Sequence, residues 1–272
     1  ISAILAMTIT TIAEAQVISP NGKVEWREKG KGFAVVYHDG DNECEVLDIT
    51  NVGILTKDGG GKDLTLKAKI PVKTIKDSYT MIGGKRHDCC NEANEVTYLY
   101  IDNIGREQQL IVRAYNDGVA FRYVFDALQH TRPTEELTIF RIAKGTKRWM
   151  QKWTEPYEAF FPLSTTGESE NKRWGYPALL QPSDNVFALI TEAGIKRYNS
   201  ASSLYNDRNK EEYRVVMDAN LQNTTGQWLS PWRGIIVGEL KDVVASTLVT
   251  DVSEPCRIED TSWIKPGAVS WI

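Results

Sequence analysis

The amino-acid sequence predicts an all-β protein made of antiparallel strands. Short segments rich in Val, Ile, Tyr, Phe and Thr recur along the chain, and turn-forming Gly, Asn and Asp residues separate them. Apolar and polar residues alternate in residues 122–125 and 212–216, as expected for sheets with one face in solvent. Many strands at this spacing indicate a large sandwich or barrel and not a series of βαβ units.

Eight segments are the clearest predicted strands, and three glycine-containing segments are the clearest turns. The predicted strands are Gly32–His38, Val96–Asp102, Gln109–Tyr115, Val119–Phe125, Leu137–Ile142, Asn185–Thr191, Glu212–Met217 and Gly234–Gly238. The predicted turns are Asp39–Asn42, Lys57–Gly61 and Asn116–Gly118. Only Leu240–Leu248 has helical spacing, with apolar residues at positions 240, 243, 244 and 248.

Composition limits the class of protein. The chain has 272 residues, of which 42% are hydrophobic and 10% aromatic, so it can bury a core and is not intrinsically disordered. Lys and Arg number 32 against 36 Asp and Glu, which gives a formal net charge of −4. A mildly acidic chain has no whole-domain basic field, so we expect no nucleic-acid partner.

The first fifteen residues predict export. Residues 1–12 are apolar or small and uncharged, and Ala13-Glu14-Ala15 supplies an A-x-A cleavage site before Gln16. The segment is shorter than the roughly 20 apolar residues of a membrane-spanning helix, and no later segment is long and apolar enough. We therefore expect residues 1–15 to be an incomplete signal peptide, no membrane span, and a periplasmic or secreted protein.

The four cysteines are Cys44, Cys89, Cys90 and Cys256. They form no C-x-x-C pair, which gives little support to a zinc or redox site. Adjacent cysteines such as Cys89 and Cys90 bridge each other only with strain. An oxidising compartment permits one or two long-range disulfides among the four, and the sequence leaves their pairing open.

Known catalytic and cofactor motifs are missing from the sequence. The glycines of Gly59–Lys62 and Gly83–Lys85 lack the frame of a phosphate-binding loop and are more simply hairpin turns. His38, His87 and His130 lie in no recognisable arrangement with a nucleophile. We assign no catalytic residue and no cofactor-binding residue within the chain.

Tryptophans and carboxylates offer weaker signals. Tryptophans either stack on sugar rings or anchor a core. Of the eight in the chain, the candidates are five from its second half: Trp149, Trp153, Trp174, Trp228 and Trp232. Four carboxylates of this region are expected in solvent: Glu155, Glu158, Glu168 and Glu170. Glu192 differs because it follows the apolar strand at residues 186–190, and a carboxylate at a strand end is well placed for a site.

Six short segments occur in a specific order along the chain. They are Ser19-Pro20-Asn21-Gly22-Lys23, residues 116–123 (NDGVAFRY), Tyr157-Glu158, Thr191-Glu192-Ala193, Pro231-Trp232-Arg233 and residues 260–267 (DTSWIKPG). Taken together, they resemble the N-terminal part of glycoside hydrolase family 97. The ordered set is far more specific than any one member, and the likeness covers residues 16–272.

The resemblance implies the following domain order. Residues 16–255 would form a large two-sheet antiparallel β-sandwich, a supersandwich of the galactose-mutarotase type. Residues 256–272 would be a linker and the first strand of a catalytic (β/α)₈ barrel that is absent from this chain. The complete protein would be an exported, exo-acting α-glycosidase that hydrolyses terminal sugars of an oligosaccharide or α-glycoside. Because the family's catalytic carboxylates lie on the barrel, we expect this chain alone to be inactive.

The resemblance also implies a calcium ion. One calcium ligand in the family is a Glu in an "EA" motif after a strand, which here matches Glu192. Calcium takes about six to eight oxygen ligands and one carboxylate gives at most two, so barrel, substrate and water must supply the rest. We therefore expect the chain alone to bind calcium weakly.

Residues 84–92 depart from the family's α-glucosidase branch, where a Trp-rich segment is expected. The substrate therefore stays open between an α-glucoside and an α-galactoside. Two other functions also stay open. A free-standing mutarotase-like enzyme requires His38, His87 or His130 close to Glu192, and a non-catalytic carbohydrate-binding sandwich requires exposed tryptophans on a shallow face.

Overall fold

The computed structural model describes residues 16–168, 172–218, 221, 224–265 and 267–270. The predicted signal peptide at residues 1–15 lies outside these ranges. Described residues form twenty strands and two short helices. The first ten strands are β1 (Val17–Ile18), β2 (Val24–Lys29), β3 (Gly32–Asp39), β4 (Asn42–Asn51), β5 (Ile54–Thr56), β6 (Thr65–Thr80), β7 (Asp88–Ile101), β8 (Glu107–Tyr115), β9 (Gly118–Thr131) and β10 (Pro133–Glu136).

The second ten strands are β11 (Ile139–Arg141), β12 (Lys147–Trp149), β13 (Leu163–Thr165), β14 (Arg173–Trp174), β15 (Ala178–Ser183), β16 (Val186–Ala193), β17 (Ser202–Asn209), β18 (Glu212–Met217), β19 (Thr224–Leu229) and β20 (Trp232–Gly238). The helices are α1 (Leu240–Ala245) and α2 (Leu248–Asp251).

Two large antiparallel sheets form the sandwich. The eight-stranded sheet has the order β1-β2-β3-β4-β11-β18-β17-β14. The ten-stranded sheet has the order β13-β12-β15-β16-β20-β9-β8-β7-β6, with β19 paired to the second half of β9. β5 and β10 form a separate two-stranded sheet. The predicted all-β sandwich is thereby confirmed.

One apolar core joins the two sheets. Trp26 and Phe33 of the eight-stranded sheet stack at 4.5 Å between ring centroids, and Trp26 lies 5.4 Å from Phe121 of the ten-stranded sheet. Phe33 also meets Tyr98 edge-on at 5.1 Å. Tilted and edge-on contacts of this kind add stabilisation beyond the area buried, so this cluster fixes how the sheets face each other.

A second, smaller core covers part of the outer face of the ten-stranded sheet. Val243 of α1 and Leu248 of α2 pack on Tyr115, Ala120 and Ile236 of this sheet. The helical spacing predicted for Leu240–Leu248 is confirmed, although the structure divides it into two helices.

The predicted strands all coincide with observed strands, and the main differences are in their lengths. Val96–Asp102 is the end of a fourteen-residue strand, β7, whereas Leu137–Ile142 shortens to the three residues of β11. The prediction of a hairpin at Gly83–Lys85 is confirmed, since these residues join the paired strands β6 and β7. The hairpin predicted at Gly59–Lys62 is wrong, because this turn joins β5 and β6, which pair with different strands.

Strand β6 was not predicted. Its sixteen residues form one edge of the ten-stranded sheet and are largely exposed, and apolar residues alternate with lysines over residues 66–70 before Pro71 interrupts the pattern. The pairing of β6 with β7 shifts register between Ile70 and Lys73, around Pro71. A proline has no N–H to donate to a ladder and is tolerated on an edge strand at such an irregularity.

The C-terminal segment and the cysteines complete the description. Residues 256–265 and 267–270 contain no helix or strand, so the barrel strand expected there stays a prediction. All four cysteines are free thiols, and none of the disulfides that the sequence permitted is formed. Within the described ranges, no helix has the length and apolar character needed to cross a membrane.

A glycine at the start of β9 tests the close packing of this sheet. A Cβ atom added at Gly118 would lie 2.4 Å from the carbonyl oxygen of Ile235 and 2.9 Å from Cα of Ile236. We expect Gly118→Ala to lower the free energy of unfolding by about 1–3 kcal/mol, measured by urea denaturation. Gly83→Ala is the control, because nothing lies within 4 Å of its added Cβ. Equal stability of the two variants would contradict the prediction.

Candidate functional site

Glu192 lies near the end of β16, directly opposite Arg233 of β20. Both side chains point into the sandwich, since they share the alternation of the core residues Ile190 and Ile235. Nη1 of Arg233 donates to Oε2 of Glu192 at 2.5 Å. The position that the sequence singled out is therefore a partly buried ion pair between neighbouring strands.

Arg233 makes a second ion pair with Glu136 of β10. Its Nε and Nη2 atoms donate to the two carboxylate oxygens of Glu136 at 2.9 and 2.6 Å. Both of these side chains are 1% exposed. Two parallel hydrogen bonds make the strongest arginine–carboxylate pair, so Glu136 is the stronger of the two ion-pair partners of Arg233.

Ser202 connects this pair to the other sheet. It begins β17 of the eight-stranded sheet, and its hydroxyl donates to Oε2 of Glu192 at 2.7 Å while accepting from Nη1 of Arg233 at 2.9 Å. The Ser202 backbone N–H lies 3.3 Å from Oε1 of Glu192. The network of Glu136, Glu192, Ser202 and Arg233, named here the Arg233 network, therefore spans both layers of the sandwich.

The charges of the Arg233 network do not balance. One guanidinium serves two carboxylates, so the network carries one surplus negative charge when both are ionised. The nearby carboxylates raise the pKa of Arg233 against the opposing effect of its complete burial, so it stays protonated. Glu192 is the more open carboxylate, with 10% of its side chain exposed against 1% for Glu136. Glu192 is therefore the member of the network through which the surplus charge is nearer to solvent.

Two tyrosines flank the network. Burial raises the pKa of Tyr176, and the Glu192 charge adds to the increase while Arg233 opposes it. The backbone N–H of Tyr176 donates to the hydroxyl of Tyr157 at 3.4 Å. Burial of that hydroxyl, aided by the Glu192 charge, raises the pKa of Tyr157, so both tyrosines are neutral donors at neutral pH.

Tyr157 also has an unusual backbone. Its φ of +59° lies in the left-handed region, which side chains other than glycine adopt at a cost of about 1–3 kcal/mol. The ring is 46% exposed, and Phe160, three residues further on, is 92% exposed. The strained segment therefore presents aromatic surface from a loop whose base is anchored beside Glu192.

As a calcium ligand, Glu192 satisfies only part of what the ion requires. No group of three or more His, Cys, Asp or Glu side chains that could hold a metal occurs in the described part of the chain. Oε2 of Glu192 already has two donors, whereas Oε1 has only the long contact with the Ser202 N–H. The residues fit one carboxylate ligand of a shared calcium site, and they do not form a complete site.

The described residues do not support the mutarotase-like enzyme or the carbohydrate-binding sandwich, because their histidines lie away from Glu192 and two key tryptophans are buried. Nε2 of His38 is hydrogen-bonded to Oε2 of Glu25 at 2.7 Å, and Nδ1 of His87 is hydrogen-bonded to Oδ1 of Asp88 at 2.8 Å. The side chain of His130 lies outside the described residues. Trp228 and Trp232 are 2% and 3% exposed, so these two rings are buried and offer no platform to a sugar.

The remaining candidates divide between core and surface. Trp174 is buried, while Trp149 and Trp153 are half-buried against Phe187 and Arg173. The side chains of Glu155, Glu158 and Glu168 are exposed as expected, and Glu170 lies outside the described residues.

Sequence reasoning found Glu192 but not the partners that hold it. Glu136 and Ser202 occur in polar segments with no motif, and nothing in the sequence marks them. Arg233 had a usable signal, because it is the one charged residue in the buried strand Trp232–Gly238. A lone arginine in a buried strand needs a buried carboxylate partner, which is what Glu136 and Glu192 provide.

The fold and the network define a two-sheet antiparallel β-sandwich with an ion network buried between its sheets. The model of the family described as "Glycosyl-hydrolase 97 N-terminal" matches residues 17–255. The chain belongs to this family, as the resemblance of its ordered segments predicted.

Two curated relatives are retaining α-galactosidases by name. The chain is 26% identical over 234 residues to a probable retaining alpha-galactosidase of Streptomyces bingchenggensis, covering 83% of this chain and 35% of the relative. It is 23% identical over 201 residues to the retaining alpha-galactosidase of Bacteroides thetaiotaomicron, covering 58% of this chain and 29% of the relative. The chain thus spans about a third of the length of these proteins.

Solved structures show the same fold. A glycoside hydrolase family 97 enzyme of Pseudoalteromonas sp. strain K8, solved with panose and also with acarbose, is similar with a TM-score of 0.76 and 20% identity over 93% of this chain and 40% of that one. A beta-arabinopyranosidase is similar with a TM-score of 0.70 and 21% identity, over 82% of this chain and 40% of that one.

Arg233 carries a testable energetic role. Arg233→Met would leave Glu136 and Glu192 buried without a counter-charge, so we expect the free energy of unfolding to fall by about 3–5 kcal/mol. Arg141→Met is the matched control, because Arg141 pairs with Glu212 on the surface with 49% of its side chain exposed. We expect that control to lose no more than about 1 kcal/mol in the same urea titration.

A double variant separates the lost charge balance from simple loss of packing. Adding Glu136→Gln to Arg233→Met removes one of the two uncompensated charges, so part of the stability should return. The Glu136→Gln single variant supplies the comparison. If Glu136→Gln lowers the free energy of unfolding by the same amount in the Arg233→Met background as in the original chain, the two charges are not coupled as described.

Proposed function

We propose that this chain is the N-terminal domain of an exported, exo-acting α-glycosidase. The observation that carries the proposal is the Arg233 network, which holds Glu192 with a surplus negative charge, and with only one long hydrogen bond to its Oε1, in a family 97 sandwich. The chain covers 29–40% of its relatives, which leaves room in such proteins for a further domain. Export is supported by the apolar, uncharged residues 1–12 and the A-x-A site before Gln16.

Within that function, Glu192 would hold calcium. Arg233 and the Ser202 hydroxyl fix the carboxylate through Oε2, and Oε1, which accepts only the long hydrogen bond from the Ser202 N–H, would bind the ion. The surplus charge of the network favours a cation at this point, and a bound calcium ion would polarise the sugar there. The barrel, the substrate and water would supply the other ligands.

The chain's own residues would also form part of the wall of the sugar site. Tyr157 lies within reach of the Glu192 charge, and its loop exposes the rings of Phe160 and Phe161, at 92% and 41%. Aromatic faces stack on sugar rings, and they exclude water from a polar site. The family's catalytic carboxylates lie on the barrel. This chain would therefore position the sugar and shield it from water, and would not itself cleave the glycosidic bond.

The substrate we favour is a terminal α-galactoside. This choice is supported by two relatives named as retaining α-galactosidases. The α-glucoside alternative is supported by a structural neighbour solved with panose and acarbose. Rates of the complete gene product on p-nitrophenyl α-galactoside and α-glucoside distinguish the two, and a faster rate on the glucoside would overturn our choice.

Calcium binding tests the role of Glu192. Residues 16–272 alone should bind calcium more weakly than micromolar in isothermal calorimetry, because one carboxylate gives at most two of about six to eight ligands. In the complete gene product, Glu192→Gln should weaken calcium binding by about tenfold or more. Glu168→Gln, at an exposed carboxylate, should leave it unchanged. Sub-micromolar binding by residues 16–272, or equal affinity of the two variants, would contradict the proposal.

Hydrolysis tests where the chemistry takes place. Residues 16–272 should not hydrolyse aryl α-glycosides above background, since the paired carboxyl groups that cleavage requires are assigned to the barrel. Release of p-nitrophenol is the measurement. Turnover that disappears in Glu192→Gln would show that this chain holds the reacting groups itself.

A further inference from the structure

Arg148 is the second fully buried arginine of the sandwich. It lies on β12, and its side chain enters the core between the sheets. Its Nε donates to the hydroxyl of Ser164 at 3.0 Å, and its Nη1 donates to the hydroxyl of Tyr213. Its guanidinium carbon lies 4.6 Å from the ring centre of Trp174. All of these partners are neutral.

The contrast with Arg233 shows what Arg148 lacks. Arg233 is equally buried and has two carboxylates, whereas no carboxylate among the described residues forms an ion pair with Arg148. Its Nη2 atom is buried and has no hydrogen-bond partner there. Burial lowers the pKa of Arg148 to about 10 although the Glu168 charge opposes the decrease, so the side chain remains protonated at neutral pH.

Hydrogen-bond donors exceed acceptors around Arg148. The hydroxyls of Ser164 and Tyr213 accept from the guanidinium, so their own hydrogens point away from it, and no described residue accepts them. Thr166 lies two residues after Ser164, on the same face of the chain, and its buried hydroxyl has no partner among the described residues. The Arg148 site, defined as Arg148, Ser164, Thr166 and Tyr213, thus holds a positive charge and unused O–H and N–H groups.

The neighbouring segment adds an unused donor and an unused acceptor, both on Gln151. Gln151 is 1% exposed, and neither its nitrogen nor its oxygen has a partner in the described part of the chain. It lies beside Gly175, where an added Cβ would be 2.9 Å from its Nε2, and Gly175 follows the Trp174 ring that covers Arg148. Buried unpaired polar groups are rare, and several in one region indicate a bound water or ion.

We propose that the Arg148 site binds a small monovalent anion of the halide class. Water would satisfy the unused donors, but it would leave the buried guanidinium with no negative charge in direct contact, since Glu168 acts on it without forming an ion pair. A spherical anion accepts from N–H and O–H donors in any direction and supplies that charge. The rings of Trp174 and Tyr213, 4% and 0% exposed, close the site against large anions. None of the four residues belongs to the Arg233 network, so the two sites are independent.

Thermal unfolding in chloride tests this proposal. The chain is dialysed into sodium gluconate and titrated with NaCl at constant ionic strength. If chloride binds only the folded state, a chloride concentration of about a hundred times Kd raises the folded-to-unfolded ratio about a hundredfold. For a domain of this size, that corresponds to an increase in Tm of about 5–10 °C. Bromide should act in the same way, and a Tm that does not depend on halide would overturn the proposal.

Substitutions locate the effect. Arg148→Met removes the charge and should abolish the halide-dependent increase in Tm. Arg141→Met, the surface control paired with Glu212, should retain it. Because Arg148→Met leaves no buried charge, it should fold without halide; if it does not, Arg148→Lys should fold and retain a weaker halide response. A full halide response in Arg148→Met would overturn the assignment.

A crystal grown or soaked in bromide gives a direct observation. Anomalous scattering should place one bromide against Nη2 of Arg148. A side-chain carboxylate or an ordered water at that position, with no anomalous peak, would show that the guanidinium is satisfied by the chain or by solvent, and the proposal would fail.

Discussion

The buried guanidinium of Arg233 is the contact on which the site and its surroundings depend. It joins β10, β16 and β20 and, through Ser202, reaches the opposite sheet. Apolar packing holds the sheets together without direction, whereas these bonds fix which strand positions face each other. Their unequal charges also give Glu192 its chemical character, because one cation serves two carboxylates and the more open one keeps the surplus.

Arg148 and Arg233 differ in the groups that balance their buried positive charge. Each brings a permanent positive charge between the sheets, where desolvation costs several kcal/mol. Arg233 meets this cost with carboxylates from its own chain, and Arg148 meets only hydroxyls and aromatic rings in the described part of the structure. An arginine of the first kind stabilises the fold on its own, and one of the second kind makes stability depend on the solution around the protein.

The sequence was sufficient for the architecture where apolar residues are dense or alternate. β3 and β16 were predicted from continuous apolar runs, and β8 and β18 alternate between buried and partly exposed residues. β6 was missed although residues 66–70 alternate, because Pro71 lies within the segment and a proline in such a run argues against a strand. Glu192 was found from its place after an apolar strand and from family resemblance, but Glu136 and Ser202 reach it through the fold from 56 and 10 residues away along the chain. Contacts of this kind depend on sheet order, which local patterns do not encode.

The edge strand β6 determines how the sheet ends. A long strand with free N–H and C=O groups invites another chain to extend the ladder. Here Pro71 offers no N–H, and the pairing register shifts beside it. The strand also carries four lysines, Lys67, Lys69, Lys73 and Lys76. Pairing with a second copy of the strand would bring these charges close together or remove their hydration. Strand-by-strand polymerisation is therefore penalised at this edge. The features of this edge therefore reduce the tendency of neighbouring copies to join edge to edge into a fibril.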